Sequence, residues 1–361
     1  MTPGPSQPKF VLLLGGATAI VIALAFATMA AAVDSGVTAT SPLSTTAIEA
    51  PAVVATTATA IPTVAQAAPI LRERRTVTLA AVGDVMLGRT VASAITAAHP
   101  DGPFAGVADL LRSADLAVAN LECVVSELGS PEQKAYTFAA PPAGATGLAT
   151  AGIDLVSLAN NHSLDFGADG LADSIANLSN AGLKTVGAGR NDREAWDVEL
   201  VEVNGTRFAF LALAEVPDEA AYDMHAWTAG SSSPGIAWVD EQRMRSAVKD
   251  AGSWADVVVV MLHFGNEGTS VVSERQRTLA HAAVDAGARL VLGSHPHVLQ
   301  EVEDYENGVI AYSLGNFVFD GFDGLANESG ILVVTFEPGG SVRWRLQPVS
   351  LDGQGLPSVA G

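Results

Sequence analysis

The chain has 361 residues, 48% of them hydrophobic, and a formal net charge of -20, so it can bury a large core. No basic stripe offsets that charge, which argues against general nucleic-acid binding, because such binding requires clustered Lys and Arg to neutralise phosphates. Cys123 is the single cysteine. An intramolecular disulfide and a zinc site built from several thiolates are therefore excluded.

The first predicted element is an apolar run at residues 10–33 that contains no charged side chain. It is long enough to span a membrane as a helix of about 20 residues. Ala30, Ala31 and Ala32 offer a small-residue cleavage site, but the run exceeds the length of a typical cleaved signal, which favours an uncleaved anchor. The prediction is a cell-membrane protein with one N-terminal pass and an extracytoplasmic domain, or a secreted protein if the segment is cleaved.

The next region, residues 34–72, is rich in Ala, Thr, Ser and Pro, a composition typical of a flexible stalk. From residue 73 to residue 361 the pattern changes to short apolar runs that alternate with amphipathic or Ala-rich stretches. That alternation predicts an α/β domain. The expected organisation is thus an anchor or signal at 1–33, a stalk at 34–72 and a folded domain at 73–361.

The folded domain is predicted to contain mixed β-sheets. Five apolar runs read as buried strands: TVTLAAVGD, DLAVANLE, IDLVSLANN, DVVVVMLH and ARLVLGSH. Helices are expected at residues 90–98, 168–181, 241–251 and 274–286. Asn204-Gly205 is a hairpin signal, and residues 309–313, 331–336 and 342–349 suggest further antiparallel strands. Residues 215–235 form a long segment that is either a lid or a mobile loop.

Polar residues are concentrated where the predicted strands end, which is where open α/β sheets bind ligands. Five clusters lie at these ends: GDVMLGR at 83–89, NLE at 120–122, NNHSLDFG at 160–167, HFGNE at 263–267 and GSHPH at 293–297. Each cluster alone is a weak signal. Together they combine imidazole and carboxylate groups, the ligand types that Mn, Fe and Zn prefer in hydrolytic sites.

With SLGNF at 313–317, these motifs resemble the CapA family of poly-γ-glutamate capsule synthesis, which is similar to the calcineurin-like metallophosphoesterases. The resemblance covers residues 76–349 and implies that architecture, with layered mixed sheets flanked by helices. It also implies two divalent ions, Mn, Fe or Zn. The implied ligands are Asp84 and His297 for the first ion, Glu122 as a bridge, and Asn161, His263 and His295 for the second.

The same resemblance makes His162 the candidate acid that protonates a leaving group, with Asp165 to orient it. Arg89 is a candidate catalytic and substrate-binding residue for an anionic oxygen, and a surface salt bridge is the alternative. Glu267 is a candidate substrate-binding residue, a metal ligand, a partner of a ligand or a base. Asn316 either contacts substrate or caps a turn.

Met86 departs from the metallophosphoesterase pattern, which has a histidine where Asp84-Val85-Met86 places a thioether. A thioether is a poor ligand for a hard ion. Either Glu267 replaces the missing imidazole, or the site holds one ion.

Two functions remain open. The first is a metal-dependent hydrolase that cleaves a phosphoester or a γ-glutamyl amide. The second is a non-catalytic, membrane-anchored assembly or export component of a polymer-synthesis complex. The expected partners are poly-γ-glutamate or membrane proteins of polymer synthesis. The net charge of -20 opposes general attraction of an anionic polymer, although bound cations would create a local acceptor site.

Overall fold

A computed structural model of the chain describes residues 73–217 and 222–360. The predicted membrane segment at 10–33 and the predicted stalk at 34–72 lie outside these residues. Within the two described ranges, no helix is both long and apolar enough to cross a membrane.

The described strands are, in chain order, β1 (Val77–Val85), β2 (Leu116–Leu121), β3 (Val124–Val125), β4 (Ala139–Ala140), β5 (Leu155–Ser157), β6 (Lys184–Val186), β7 (Ala188–Gly189), β8 (Glu199–Val203), β9 (Thr206–Glu215), β10 (Gly235–Ile236), β11 (Val257–Phe264), β12 (Leu290–Ser294), β13 (Val302–Tyr305), β14 (Gly308–Ala311), β15 (Asn316–Val318), β16 (Glu328–Phe336), β17 (Val342–Leu351) and β18 (Pro357–Val359). The described α-helices are α1 (Ala108–Arg112), α2 (Ala143–Ala151), α3 (Gly167–Asn180), α4 (Asp192–Ala195), α5 (Glu241–Ala251) and α6 (Glu274–Ala286). Short 3-10 turns lie at Val91–Ala94, Gly102–Phe104, Met224–Trp227 and Gly324–Asn327.

Two large mixed sheets form the domain, which confirms the predicted α/β class. The first has the order β18-β17-β16-β1-β2-β5-β6, and β15 pairs with β1. The second has the order β13-β14-β12-β11-β9-β8. In both sheets the central strands run parallel. Antiparallel strands are added at one edge of the first sheet and at both edges of the second. The central strands read as continuous apolar runs because both of their faces are buried.

The core lies between the two sheets, with further apolar packing outside the second sheet. Alternate side chains of β9 divide between the two regions, since strand side chains point to opposite faces. Phe208 faces the first sheet, where its ring centroid lies 5.3 Å from that of Phe336. Leu211 faces outward and packs with Met244 of α5 and Leu279 of α6.

Most of the predicted elements are confirmed. Helices α5 and α6 have the predicted bounds. Asn204 and Gly205 link β8 to β9 with φ angles of 51° and 78°, as a two-residue hairpin turn of this kind requires. The helix predicted at 90–98 is wrong, since only the 3-10 turn Val91–Ala94 forms there. Val91 is the one buried side chain of that turn, so little apolar surface holds a longer helix against the core.

The segment at residues 215–235 is packed where it is described. It contains the 3-10 turn Met224–Trp227 and ends in β10, which pairs with β7. Trp227 is buried at 4% exposure. Residues 218–221 of this segment lie outside the described ranges.

Candidate metal centre

The strand ends of both sheets meet at one buried place. The first sheet contributes the ends of β1, β2 and β5, and the second contributes the ends of β11 and β12. All six predicted ligands lie at these ends, and all six are buried: Asp84, Glu122, Asn161, His263, His295 and His297. The sequence-based expectation that these residue types converge is therefore met by the geometry, while metal binding by them stays a prediction.

Glu122 lies at the middle of this group. Its Oε1 atom is 3.6 Å from His263 Nε2 and 3.8 Å from His297 Nε2. Potential ligand atoms fall within 4.8 Å of one another in two sets that share Glu122, one with Asp84 and His297 and one with His263 and His295. The Oδ1 atom of Asn161 lies 2.8 Å from His263 Nε2 and so joins the second set.

Two buried polar atoms of the group fit a bound cation. Among the described residues, neither Glu122 Oε1 nor His295 Nδ1 has a hydrogen-bond partner. Leaving such atoms unpaired in a protein interior costs free energy. A carboxylate oxygen and imidazole nitrogens that face one another are the donor set of a divalent transition-metal ion. The residues present therefore fit such an ion.

Burial and mutual proximity shift the pKa values of the group in both directions. Burial, followed by the nearby imidazoles, lowers the pKa of His263 and His295 well below 6.5. Both rings are thus neutral at neutral pH, the form in which imidazole binds metals. Burial and the Asp84 charge raise the pKa of Glu122 well above 4.5. Burial lowers the pKa of His297, but Asp84 outweighs it and the net shift is upward.

Polar neighbours fix the orientation of the candidate ligands. His263 Nδ1 lies 2.8 Å from Ser294 Oγ, and His297 Nδ1 lies 2.9 Å from Asn316 Oδ1. These contacts occupy Nδ1 of both rings, as is usual for metal-binding histidines. Nε2 of His297 is directed toward Glu122, and Nε2 of His263 lies 2.8 Å from Asn161 Oδ1 and 3.6 Å from Glu122 Oε1. Asn120 Nδ2 donates to Asp84 Oδ1 at 2.9 Å. Sequence reasoning assigned no role to Asn120 or Ser294, although each lies inside one of the motifs.

The turn that carries His295 and His297 has an unusual backbone. Their φ angles are 95° and 57°, values that cost a residue with a side chain about 1–3 kcal/mol. Gly293, near the end of β12, lies against the carbonyl of Tyr312, where an added Cβ would lie 2.0 Å from the oxygen. The turn is thus over-determined by its surroundings, and it brings two imidazoles separated by one proline into the same centre.

His162 lies beside the centre in a buried network. Its Nδ1 atom is 2.6 Å from Asp165 Oδ2, as the resemblance implied. Lys134 Nζ donates to Asp165 Oδ1 at 2.9 Å, and the Phe138 backbone N–H donates to Oδ2 at 2.7 Å. The Phe138 ring is tilted by 34° relative to that of His162, and the ring centroids are 4.2 Å apart. Nδ1 of His162 is held, so Nε2 is the atom that would serve as an acid.

Lys134 was missed by sequence reasoning. Its side chain is fully buried with Asp165, also donates to the carbonyl of Asn161, and lies 4.5 Å from the ring centroid of Trp227. Its loop carries no motif, so the sequence held no signal for it. Because Lys134 pairs with Asp165 beside the centre, its contact with Trp227 brings the long segment at 215–235 next to the centre.

The remaining candidates are placed as follows. Arg89 Nε donates to Asp320 at 2.7 Å, and its guanidinium lies 4.8 Å from the Phe138 ring, so the salt-bridge alternative describes this contact. Asn316 is buried, donates to the carbonyl of Ala326 and orients His297. A substrate contact by either residue stays a prediction. Met86 is buried, and its sulfur accepts from Gly88 N at 3.0 Å.

Comparisons with known proteins relate this chain to a sequence family. Residues 78–321 match the family model described as bacterial capsule synthesis protein PGA_cap. The chain is 36% identical over 261 residues to the capsule biosynthesis protein CapA of Bacillus anthracis, covering 69% of this chain and 61% of that protein. It is 31% identical over 273 residues to the PGA biosynthesis protein CapA of Bacillus subtilis, covering 75% of this chain and 70% of that one.

The alignment with the B. anthracis protein thus spans less than two thirds of that relative. Among solved structures, the chain is similar to a calcineurin-like phosphoesterase of B. subtilis, with 12% identity and a TM-score of 0.43, over 77% of this chain and 91% of that one. The family model covers more than half of the chain. The chain belongs to the bacterial capsule synthesis protein family PGA_cap.

Proposed function

We propose that this chain is an extracytoplasmic protein of poly-γ-glutamate capsule or envelope polymer synthesis whose buried centre is a metal-dependent hydrolase site. The family and the names of the Bacillus relatives support the polymer role. The observation that carries the hydrolase role is Glu122 Oε1, a buried oxygen without a hydrogen-bond partner among the described residues, which faces the Nε2 atoms of His263 and His297.

In this proposal Asp84, Glu122 and His297 would hold one divalent ion, and Glu122, Asn161, His263 and His295 would hold another. Such ions would supply Lewis acidity and stabilise negative charge on the attacked group. The substrate class is an ester or amide, namely a phosphoester or a γ-glutamyl amide.

The protein's own groups supply proton transfer and orientation. Asp165 and His162 are 2.6 Å apart through Nδ1, so His162 donates its proton to the leaving group from Nε2. Lys134 is paired with Asp165 in the interior and holds this carboxylate beside the imidazole. The Phe138 ring packs against the imidazole at a tilt of 34° and restricts its rotation.

The N-terminal segment completes the proposal. The run at residues 10–33 anchors the chain in the cell membrane, or directs its secretion if it is cleaved, and residues 34–72 act as a stalk. The folded domain then works outside the cytoplasm, next to membrane proteins of polymer synthesis. Only the sequence pattern supports this location.

Hydrolysis by the full-length protein tests the catalytic role. The parent, His263→Ala and the exposed control His99→Ala are loaded with Mn²⁺ and assayed on a phosphodiester and on poly-γ-glutamate. We expect the parent and His99→Ala to cleave one substrate class, and His263→Ala to lose about 100-fold or more in rate, the scale of a lost electrostatic catalytic group. Unchanged cleavage by His263→Ala would refute the catalytic role.

A non-catalytic assembly or export role is the second candidate. Met86 favours it, because its sulfur accepts from the Gly88 backbone and a thioether is a poor ligand for a hard ion. This candidate predicts no hydrolysis by the Mn²⁺-loaded parent, together with cross-links to membrane proteins of polymer synthesis in intact cells. Absence of such cross-links would count against it.

A further inference from the structure

Glu267 is the exposed carboxylate at the mouth of the buried centre. One of its oxygens and one ring nitrogen each of His295 and His297 lie within 4.8 Å of one another. Glu267 therefore faces the two imidazoles from the solvent side, while Glu122 and Asp84 face them from within.

The loop that carries Glu267 is held in place on two sides. Gly268 N donates to the carbonyl of Pro296 at 2.8 Å, which ties the loop to the turn between the two histidines. Gly265 has a φ of 100°, and an added Cβ would lie 2.6 Å from the side chain of Gln276. Gln300 Nε2 donates to the carbonyl of Thr269 at 2.9 Å. The position of the carboxylate is thus set by packing of its loop.

The number of protein donors differs between the two halves of the centre. The half around His263 has four: Glu122, Asn161, His263 and His295. The half around His297 has three: Asp84, Glu122 and His297. The missing donor corresponds to Met86, whose sulfur accepts from Gly88 N. An oxygen donor that reaches His297 from outside would bring both halves to four.

We infer that Glu267 is the solvent-side ligand of the ion held by Asp84 and His297. It replaces the histidine of the Asp-x-His pattern, whose position is occupied by Met86 in this chain. The inference rests on the proposed function, since it requires that the centre bind metal. Carboxylate oxygen is a suitable donor for Mn²⁺, whereas the Met86 thioether is not. Glu267 is exposed, so its substitution leaves the packed core unchanged.

The test is a titration of metal-stripped full-length protein with Mn²⁺, in which bound metal per chain is measured beside the rise in unfolding temperature. The variants are Glu267→Gln and the matched exposed control Glu127→Gln. We expect two bound ions in the parent and in Glu127→Gln. In Glu267→Gln, one ion should bind as before, and the other should bind at least about 10-fold more weakly, the lower end of the effect of losing a residue that supports a ligand.

Combined variants identify which ion Glu267 binds. At a Mn²⁺ concentration too low to fill a weakened site, Glu267→Gln with His297→Ala should keep one ion, because both substitutions weaken the binding of the same ion. Glu267→Gln with His263→Ala should keep none. The reverse pattern would overturn the inference, and a retained thermal unfolding transition shows that each variant is folded.

Failure of the inference differs from failure of the proposed function. Two ions bound equally well by the parent and Glu267→Gln would overturn the role of Glu267 and leave the metal centre intact. A parent with one ion, unchanged in Glu267→Gln, would also overturn that role. A folded parent that binds no Mn²⁺ would remove both.

Discussion

The buried pair of Lys134 and Asp165 gives the sharpest stability prediction. Both side chains have 0% exposure, with Nζ 2.9 Å from Oδ1. Breaking a buried ion pair costs about 3–5 kcal/mol, because one charge is left without its partner. In Lys134→Met, Asp165 still accepts from Phe138 N and His162 Nδ1, so the lower end, about 3 kcal/mol, applies. That loss corresponds to an unfolding midpoint lower by about 6–12 °C for a domain of this size.

Thermal and urea unfolding of the metal-free full-length protein measure this loss. The matched control is Lys249→Met, an exposed lysine in α5 that should change stability by no more than about 0.5 kcal/mol. The double variant Lys134→Met with Asp165→Asn should be less destabilised than the sum of the single variants. A Lys134→Met midpoint that matches the Lys249→Met control would refute the reasoning.

Three further predictions follow from the same geometry. Gly293→Ala should destabilise the fold by more than about 2 kcal/mol in urea unfolding, because its Cβ would overlap the Tyr312 carbonyl. The control Gly339→Ala, which has open space around it, should be neutral or stabilising by up to about 1 kcal/mol. In metal-free protein the pKa of Glu122 is raised in the folded state, so folded Glu122 keeps its proton to a higher pH than unfolded Glu122. The contribution of Glu122 to the free energy of unfolding therefore falls as the pH rises above 4.5. Glu122→Gln should therefore stabilise metal-free protein at pH 8 and do so less at pH 4.5, and an equal effect at both would contradict this. His162→Ala should lower hydrolysis by about 10²–10⁴-fold with bound Mn²⁺ unchanged, and loss of metal would show that it acts as a ligand instead.

The sequence predicted the fold where local pattern and tertiary packing agree. The apolar runs of β1, β2 and β11 are buried on both faces, so their lack of alternation was informative. Helices α5 and α6 were predicted from their amphipathic or Ala-rich sequences. In the structure their N-termini are capped by the side chains of Asp240 and Ser273, which fix where each helix begins.

Elements without such a pattern could not be predicted. Helix α2 contains Gly144 and Gly147 among its nine residues, and glycine has low intrinsic helix propensity. Its glycines allow close approach, since an added Cβ at Gly147 would lie 2.2 Å from the carbonyl of Pro100. Tertiary packing therefore stabilises this helix, and no local pattern in the sequence predicts it.

The candidate site likewise contains residues that the sequence predicted and residues that it did not. The clusters that contain the six candidate ligands were predicted from residue types at strand ends, and the ligand assignments, which stay a prediction, from the family resemblance. Partners far along the chain were not found. Lys134 pairs with Asp165 over 31 positions, and Arg89 pairs with Asp320 over 231. Such contacts depend on how loops of different strands meet, which residue spacing in one segment does not encode.

The most direct test of the metal centre is the metal content of the purified full-length protein. Elemental analysis is performed on the parent and on the variant His295→Ala with His297→Ala, after loading with Mn, Fe or Zn. The structure predicts near two ions per parent chain and a clear loss in the variant, because one imidazole leaves each half of the centre. A folded parent without metal under all three conditions would contradict the account.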